Sequence, residues 1–316
     1  MSEGLKIAVL KGGRSLERQV SLSSAERVEE SLARIGHRAT GIDVGGDLVA
    51  RLIELQPDLV FVALHGREGE DGSLQELLDT LDLRYTGSPP GACARAWDKL
   101  ATKELLDEAG IGTPSALCFS ESALRDFGGA EALARVPDKV GFPAVVKPCR
   151  QGSALGVRLV AGAEELPEAL LAAFSYSERA LIEEFVPGRE LAVPVFEGKA
   201  LPVVEASPTE DSMYDFEARY TIGSATLSCP AELDAEVSAR VAQVAERVVE
   251  LLGLRSFARV DMLLDERDGE PKPLHRQPEK LTWQLLQLAQ KQHRLLLVVA
   301  KRYLDHHLFL VNLKLF

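Results

Sequence analysis

The sequence predicts an α/β protein that opens on a parallel sheet and continues into largely antiparallel sheets. Between residues 6 and 83, apolar strands alternate with amphipathic helices, the pattern of an open parallel sheet with functional loops at the strands' C-terminal ends. After residue 114, short strands crowd together without helices of matching number, which signals antiparallel pairing. A single long amphipathic helix at 235–253 interrupts them.

Taken in order, "KIAVLKGG" (6–13) is a buried parallel strand ending in a glycine turn. "SLSSAERVEESLARIG" (21–36) has helical spacing at Val28, Leu32 and Ile35, with Ser23 and Glu26 as a capping box and Gly36 as its end. "DLVFVALHG" (58–66) is a second continuous apolar strand and "GSLQELLDTLDL" (72–83) a second helix. The later strands are "FPAVVKP", "GVRLV", "ALIEEF", "ELAVPVF", "LPVVEA" and "FARVDMLL". On "AEVSARVAQVAERVVELLG", Val237, Val241, Val244, Val248 and Leu252 fall at steps of three or four, and Gly253 is the expected C-cap.

A chain of 316 residues with 46% apolar content has enough apolar material for two or three cores. Its net charge of −12 argues against nucleic acid, whose phosphates recruit basic surfaces. Cys93, Cys118, Cys149 and Cys229 are widely spaced with no C-x-x-C pair, the pattern of reduced thiols rather than a disulfide framework or zinc site. "MSEGLKIAVL" lacks a basic region followed by a long apolar run, so no signal peptide is expected. The longest apolar stretch, "LLLVVA" at 295–300, is far short of the roughly 20 residues of a membrane span. A soluble, cytoplasmic protein is the expectation. Composition breaks near Leu274: residues 275–316 contain no glycine and carry a net +5, which leaves −17 on the remainder.

Chemistry concentrates in "VVKPCRQGSALGVRLV" (145–160), a strand, Lys147 and a glycine-rich turn. G-x-x-x-x-G-K-[ST] is absent and the lysine precedes the glycines, so this is not a Walker A loop, nor does it fit G-x-G-x-x-G opening a helix. It reads as a hairpin flap, Gly152-Ser153-Ala154-Leu155-Gly156, whose amides can close over phosphates while the lysine offsets their charge. "ALIEEFVPGREL" (180–191) offers strand backbone for an adenine edge and carboxylates for ribose hydroxyls. "FARVDMLLD" (257–265) puts Arg259 and Asp261 on one strand face, where the aspartate needs a metal or an arginine partner.

In order along residues 5–273, "AVLKGGRSLERQVSLSS", "ALHGREGEDGSLQ", "YTGS" with "WDKLATKELL", "GFPAVVKPCRQGSALGV", "LIEEFVPGRELAV", "YDFEARY" and "ARVDMLLD" resemble the D-alanine–D-alanine ligases. The resemblance implies an ATP-grasp fold, in which an N-terminal α/β domain (1–88) precedes a central (89–183) and a C-terminal (184–316) α+β subdomain that clamp ATP. It implies that ATP phosphorylates one D-alanine and the amine of a second attacks the acylphosphate, for peptidoglycan synthesis. By the same resemblance, Glu17 anchors the first ammonium, with His65 beside it. Ser153 and Tyr220 link flap and mobile loop to Glu17, and Arg259 steadies the oxyanion. Lys99, Lys147, Gly152, Ser153 and Arg219 would meet phosphate. Glu183 and Glu190, with the backbone of Glu184 and Val186, would meet the nucleoside. Asp261 would hold Mg²⁺, at two ion sites where Mn²⁺ can substitute. A homodimer is implied as well.

The sequence departs from that pattern in five places. Arg219 stands where the family has lysine, and Cys149 where serine is common. His275 and Gln277 fall where the family has the metal-binding glutamate and asparagine, and no Pro-Gly loop follows. Histidine is a poor Mg²⁺ ligand and cannot bridge two ions. With the compositional break, this points to a frameshifted or replaced C-terminus, or else to a divergent tail whose "LTWQLLQLAQKQHRLLLVVAKRYL" packs as a helix. Weak ATP binding and impaired ligation are expected either way. The competing expectations are a non-catalytic nucleotide-binding relative and another ATP-grasp carboxylate–amine ligase.

Overall fold

The structure is a computed structural model and describes residues 4–208 and 225–274. The first layer runs β1 (Lys6–Lys11), α1 (Arg18–Arg34), β2 (Arg38–Asp43), α2 (Leu48–Leu55), β3 (Leu59–Val62), α3 (Arg67–Glu70) and α4 (Ser73–Thr80). β1 lies between β2 and β3 and is parallel to both. Alternation along β1 sends Ile7 and Val9 to one face, against Ala25, Val28 and Leu32 of α1. Ala8 and Leu10 go to the other, against Leu48 and Leu52 of α2 and Leu74 and Leu78 of α4. Burial on both faces is why this strand is a continuous apolar run.

One local expectation fails. α1 begins at Arg18 with Glu17 at the N-cap, so the capping box of Ser23 and Glu26 does not form. Both residues sit inside the helix, where the backbone amides already have carbonyl partners one turn back. The chain enters the helix through Ser15 instead, whose hydroxyl accepts from the Glu17 amide at 3.1 Å and whose carbonyl accepts from Arg18 at 3.0 Å.

Next come α5 (Pro90–Trp97), α6 (Lys99–Glu108), β4 (Ala116–Ser120), α7 (Glu121–Asp126), α8 (Gly129–Leu133), α9 (Val136–Lys139), β5 (Ala144–Pro148), β6 (Arg158–Val160), α10 (Leu166–Phe174) and β7 (Arg179–Glu184). The four strands form an antiparallel sheet in the order β4-β7-β5-β6. Ala144, Val146, Val160, Ala180 and Ile182 pack on Leu166, Ala169, Leu170 and Ala173 of α10. The register pairs Val145 with Glu183 and Lys147 with Leu181, so these four side chains share the opposite face.

The remaining elements are β8 (Gly188–Phe196), β9 (Lys199–Ala200), β10 (Val204–Pro208), β11 (Ala225–Ser228), a long helix α11 (Ala235–Leu252), β12 (Phe257–Asp265) and β13 (Pro271–Leu274). Their sheet runs β11-β10-β8-β12-β13, with β9 on β8, and every pairing is antiparallel. Leu191, Val193, Val195, Ala258, Val260 and Met262 bury against Val241, Ala245, Val248, Val249 and Leu252 of α11. α11 ends at Gly253 in the left-handed region, as its sequence predicts. The other sheet face therefore carries Glu190 opposite Leu263, and Arg259 and Asp261 opposite Pro194 and Ala192. In both antiparallel sheets, Lys147 and Glu183 on the first and Glu190, Arg259 and Asp261 on the second lie on the face turned away from the helix. No helix among the described residues is long and apolar enough to cross a membrane.

Candidate functional site

Asp98 caps α6 through its side chain, accepting from the amides of Leu100 at 3.0 Å and Ala101 at 3.3 Å. That cap fixes Lys99 at the first helical position. The Lys99 amide donates to the Cys149 carbonyl at 3.0 Å and its Nζ to the Gln151 carbonyl at 2.6 Å. The other oxygen of Asp98 takes Arg150 Nε at 2.8 Å, so helix start and flap base are tied together. One helical turn on, Lys103 Nζ donates to the Pro114 carbonyl at 2.5 Å and to Thr113 Oγ1 at 2.8 Å. It also reaches Glu183 Oε1 at 2.9 Å, while Lys147 Nζ holds Glu183 Oε2.

All four of these charged groups are buried, Lys99 at 6%, Lys103 at 8%, Lys147 at 7% and Glu183 at 3% exposure. Burial pulls the Lys99 ammonium down to about 7, with Lys147 adding to the fall. Burial also lowers Lys147, against the opposing pull of Glu183. For Glu183, burial works upward but the charges of Lys147 and Lys103 outweigh it, and its carboxyl lies below the ordinary value. Three lysines around one carboxylate leave an excess of positive charge out of water, unfavourable until an anion arrives. The arrangement is suited to phosphate.

The flap follows directly. Ser153 and Ala154 sit at φ +52° and +56° and Gly156 at +72°, a tight left-handed turn held by Leu155 N–H to the Gly152 carbonyl at 3.1 Å. The Gly152 amide donates to its neighbour's Gln151 Oε1 at 2.9 Å. Ser153 Oγ donates to Glu17 Oε1, 136 positions away in sequence, and both residues are buried. Gly66 makes room for this: at φ +79°, a Cβ there would meet Ser15 Oγ and stand 2.8 Å from Glu17 Oε2. Next to it, His65 Nε2 lies 3.1 Å from Ser24 Oγ, and Nδ1 lies 3.7 Å from the fully buried Glu70. The structure thus gathers Glu17, His65 and Ser153 at one end of the flap and Lys99, Lys147 and Gly152 at its base.

On the third sheet, Arg259 grips Asp261 with two prongs, Nε to Oδ1 at 2.6 Å and Nη2 to Oδ2 at 2.8 Å. Both oxygens of the expected metal ligand are therefore engaged by a guanidinium. No group of three acidic, histidine or cysteine side chains that could hold a metal occurs among the described residues. One arginine-bound carboxylate does not fit a two-ion site, and the family's partner positions hold His275 and Gln277, which lie outside the described residues. Arg219 and Tyr220 also lie outside them.

Between the two antiparallel sheets runs the segment expected to meet a base. The Glu184 amide donates to the Ser115 carbonyl at 2.9 Å. The Glu184 carboxylate takes Arg267 Nη1 at 2.6 Å and Ser115 Oγ at 3.1 Å. Val186 is buried, and Glu190 follows on β8. Sequence reading missed Lys103, Glu70 and Arg267. The signal for Lys103 was present, since it stands four residues after Lys99 on a helix and so on the same face. For Arg267, in a hairpin turn, no sequence signal existed.

Residues 47–88 match the family described as D-ala D-ala ligase N-terminus and residues 105–271 the one described as D-ala D-ala ligase C-terminus. The second match stops just short of the compositional break. The D-alanine–D-alanine ligase of Citrifermentans bemidjiense is 44% identical over 261 residues, spanning 83% of this chain and 82% of its own. A crystal structure of the ligase from Bacillus anthracis superposes with a TM-score of 0.78 at 30% identity, covering 92% of this chain and 93% of that one. A second, complexed with ATP, gives 0.73 at 28% identity and covers 87% and 86%. The architecture shared with them is the ATP-grasp fold.

Proposed function

Since the chain belongs to the D-alanine–D-alanine ligase family, we propose that it descends from and is built as an ATP-dependent ligase joining two D-alanines. One observation carries the reading. A single short flap touches both the lysine cluster, through Gln151, and a buried carboxylate, through Ser153.

Transfer of phosphate to an amino acid's carboxylate brings like charges together, so cations must surround the meeting point. In this proposal Lys99 and Lys147 take nucleotide phosphates, and the Gly152–Gly156 amides close over them. The Glu184–Val186 backbone meets the base and Glu190 the ribose. Glu17 takes the ammonium of the first D-alanine, at the carboxylate that Ser153 now occupies, with His65 alongside. Closing the flap keeps water from the acylphosphate. Arg259 offers its guanidinium to the oxyanion formed when the second amine attacks. Arg219 and Tyr220 keep the roles expected from the family pattern. Two D-alanines and ATP are the substrates. The two-ion site does not fit, so no step is routed through a metal.

Its altered C-terminal ligand positions favour a second reading, a nucleotide-binding relative that no longer ligates. Losing the two metal-ligand positions and the Pro-Gly loop costs about 10³-fold or more in rate. Single-turnover ADP release separates the two. D-alanine should stimulate little release from this chain, and substantial release once His275→Glu, Gln277→Asn and the Pro-Gly loop are restored. Activity that stays absent after restoration would overturn the ligase reading.

A further inference from the structure

We propose that Lys103 is a positioning residue, the fixed counter-ion that keeps Glu183 paired while Lys147 leaves it for nucleotide phosphate. The inference rests on the reading above, in which Lys147 meets phosphate, and adds the device that frees it.

The two lysines share one carboxylate but are held very differently. Lys103 Nζ is anchored by three acceptors, the Pro114 carbonyl at 2.5 Å, Thr113 Oγ1 at 2.8 Å and Glu183 Oε1 at 2.9 Å. Three acceptors saturate an ammonium's three protons, so Lys103 has nothing left to give an incoming ligand. Thr113 Oγ1 in turn donates to the Pro273 carbonyl of β13 at 3.3 Å, which pins the anchor to the third sheet. Lys147 Nζ is bonded, among the described residues, to Glu183 Oε2 alone. It stands on β5 with two further protons to offer and a flexible stem. Lys103 is therefore the partner that stays and Lys147 the partner that moves.

Electrostatics make the arrangement necessary. Glu183 is 3% exposed, and a buried carboxylate stripped of its only cation is strongly unfavourable. Were Lys147 the sole partner, each nucleotide would have to leave a bare carboxylate behind or share the lysine with it. With Lys103 in place the exchange leaves no charge alone. Lys103 and Glu183 remain a pair, and Lys99 and Lys147 turn to the phosphates. A lone Lys147–Glu183 pair would hold its own lysine against the ligand.

The test is titration of ADP, and separately adenosine, into the full-length chain and its variants, with thermal unfolding as a folding control. Lys103→Met should weaken ADP by about tenfold or more, the scale of coupling between close charges. Adenosine affinity should be unchanged, because only the phosphate end is affected. Lys103→Arg should stay within about threefold of the parent, since it keeps the cation on Glu183. Adding Glu183→Gln to Lys103→Met should restore most of the loss, because a neutral amide no longer retains Lys147. Glu183→Gln alone is the reference against which the double variant is read, since Glu183 is itself expected to meet the nucleoside, and Lys103→Gln carries the test with the same expectations if Lys103→Met does not fold. Unchanged ADP affinity in Lys103→Met, no recovery in the double variant, or an equal loss of adenosine binding would overturn the proposal. Absence of ADP binding by the unsubstituted chain would overturn the nucleotide reading itself.

Discussion

Replacing Lys99 by methionine should make the protein more stable while weakening its hold on nucleotide. The lysine is 6% exposed, and burial brings its ammonium from 10.5 down to about 7. A fall of that size corresponds to roughly 5 kcal/mol of work spent in keeping the charge out of water at low pH. Methionine fills the same stem volume without the charge. It forfeits the 2.6 Å bond to the Gln151 carbonyl, which costs about 1–3 kcal/mol. The balance at pH 7 favours the variant by about 2 kcal/mol. The pH dependence gives a sharper reading. Unfolded, Lys99 keeps its proton to about pH 10, whereas folded it sheds it near 7. Between those values the unfolded chain binds more protons, so raising the pH favours the folded state by about 1.4 kcal/mol per unit. Methionine has no such term. Denaturant unfolding of both proteins at pH 7.5 and 8.5 should show the variant's advantage shrinking by about that amount. Lys147 is present in both, so its own burial cancels and only its repulsion with Lys99 is relieved in the variant. A Lys99→Met protein that is less stable at both pH values, or whose difference from the parent does not move, would refute the account of this site as strained by surplus charge.

Three further outcomes follow from the same geometry. ADP affinity should fall as pH rises through about 7, because Lys99 must regain its proton to meet phosphate; calorimetry in buffers of different ionisation heat should detect net proton uptake above that pH. Arg259→Met should destabilise by about 3–5 kcal/mol in denaturant unfolding, since it withdraws a two-pronged partner from an aspartate 3% exposed, and Asp261→Asn should cost less. Gly66→Ala should lower the thermal midpoint and abolish D-alanine binding, because its φ of +79° disfavours a side chain and the new Cβ meets Ser15 and Glu17.

The sequence made regular structure legible wherever burial enforces a period. β1, α4 and α11 all lie where their apolar spacing puts them, because a two-sided strand and a one-sided helix leave different marks. Helix ends were less legible. Ser23 and Glu26 have the right types for a cap, but Ser15 and Glu17 upstream begin the helix first, and nothing local distinguishes the two starts. In the site, Arg259 and Asp261 were readable as one face of one strand, and their pairing realises the simpler of the two readings offered for them. The contact of Ser153 with Glu17 was accessible only through family resemblance, since no periodicity relates residues on different sheets. A lysine four positions from another on a helix ordinarily marks a solvated face, so the spacing of Lys103 from Lys99 is ambiguous in sequence alone. Only the tertiary fold, by burying it against Glu183, reverses that meaning.

The Ser153–Glu17 bond spans 136 positions, and that separation orders events during synthesis. β1, β2 and β3 pair within the first 62 residues, so the N-terminal layer can assemble as soon as it leaves the ribosome. Glu17 then waits, still hydrated, until the flap emerges. Desolvation of the two residues belongs to the docking of the second nascent layer on the first. A ribosome paused before residue 153 would thus display a folded first layer whose Glu17 carboxylate, still in water, has yet to meet its serine.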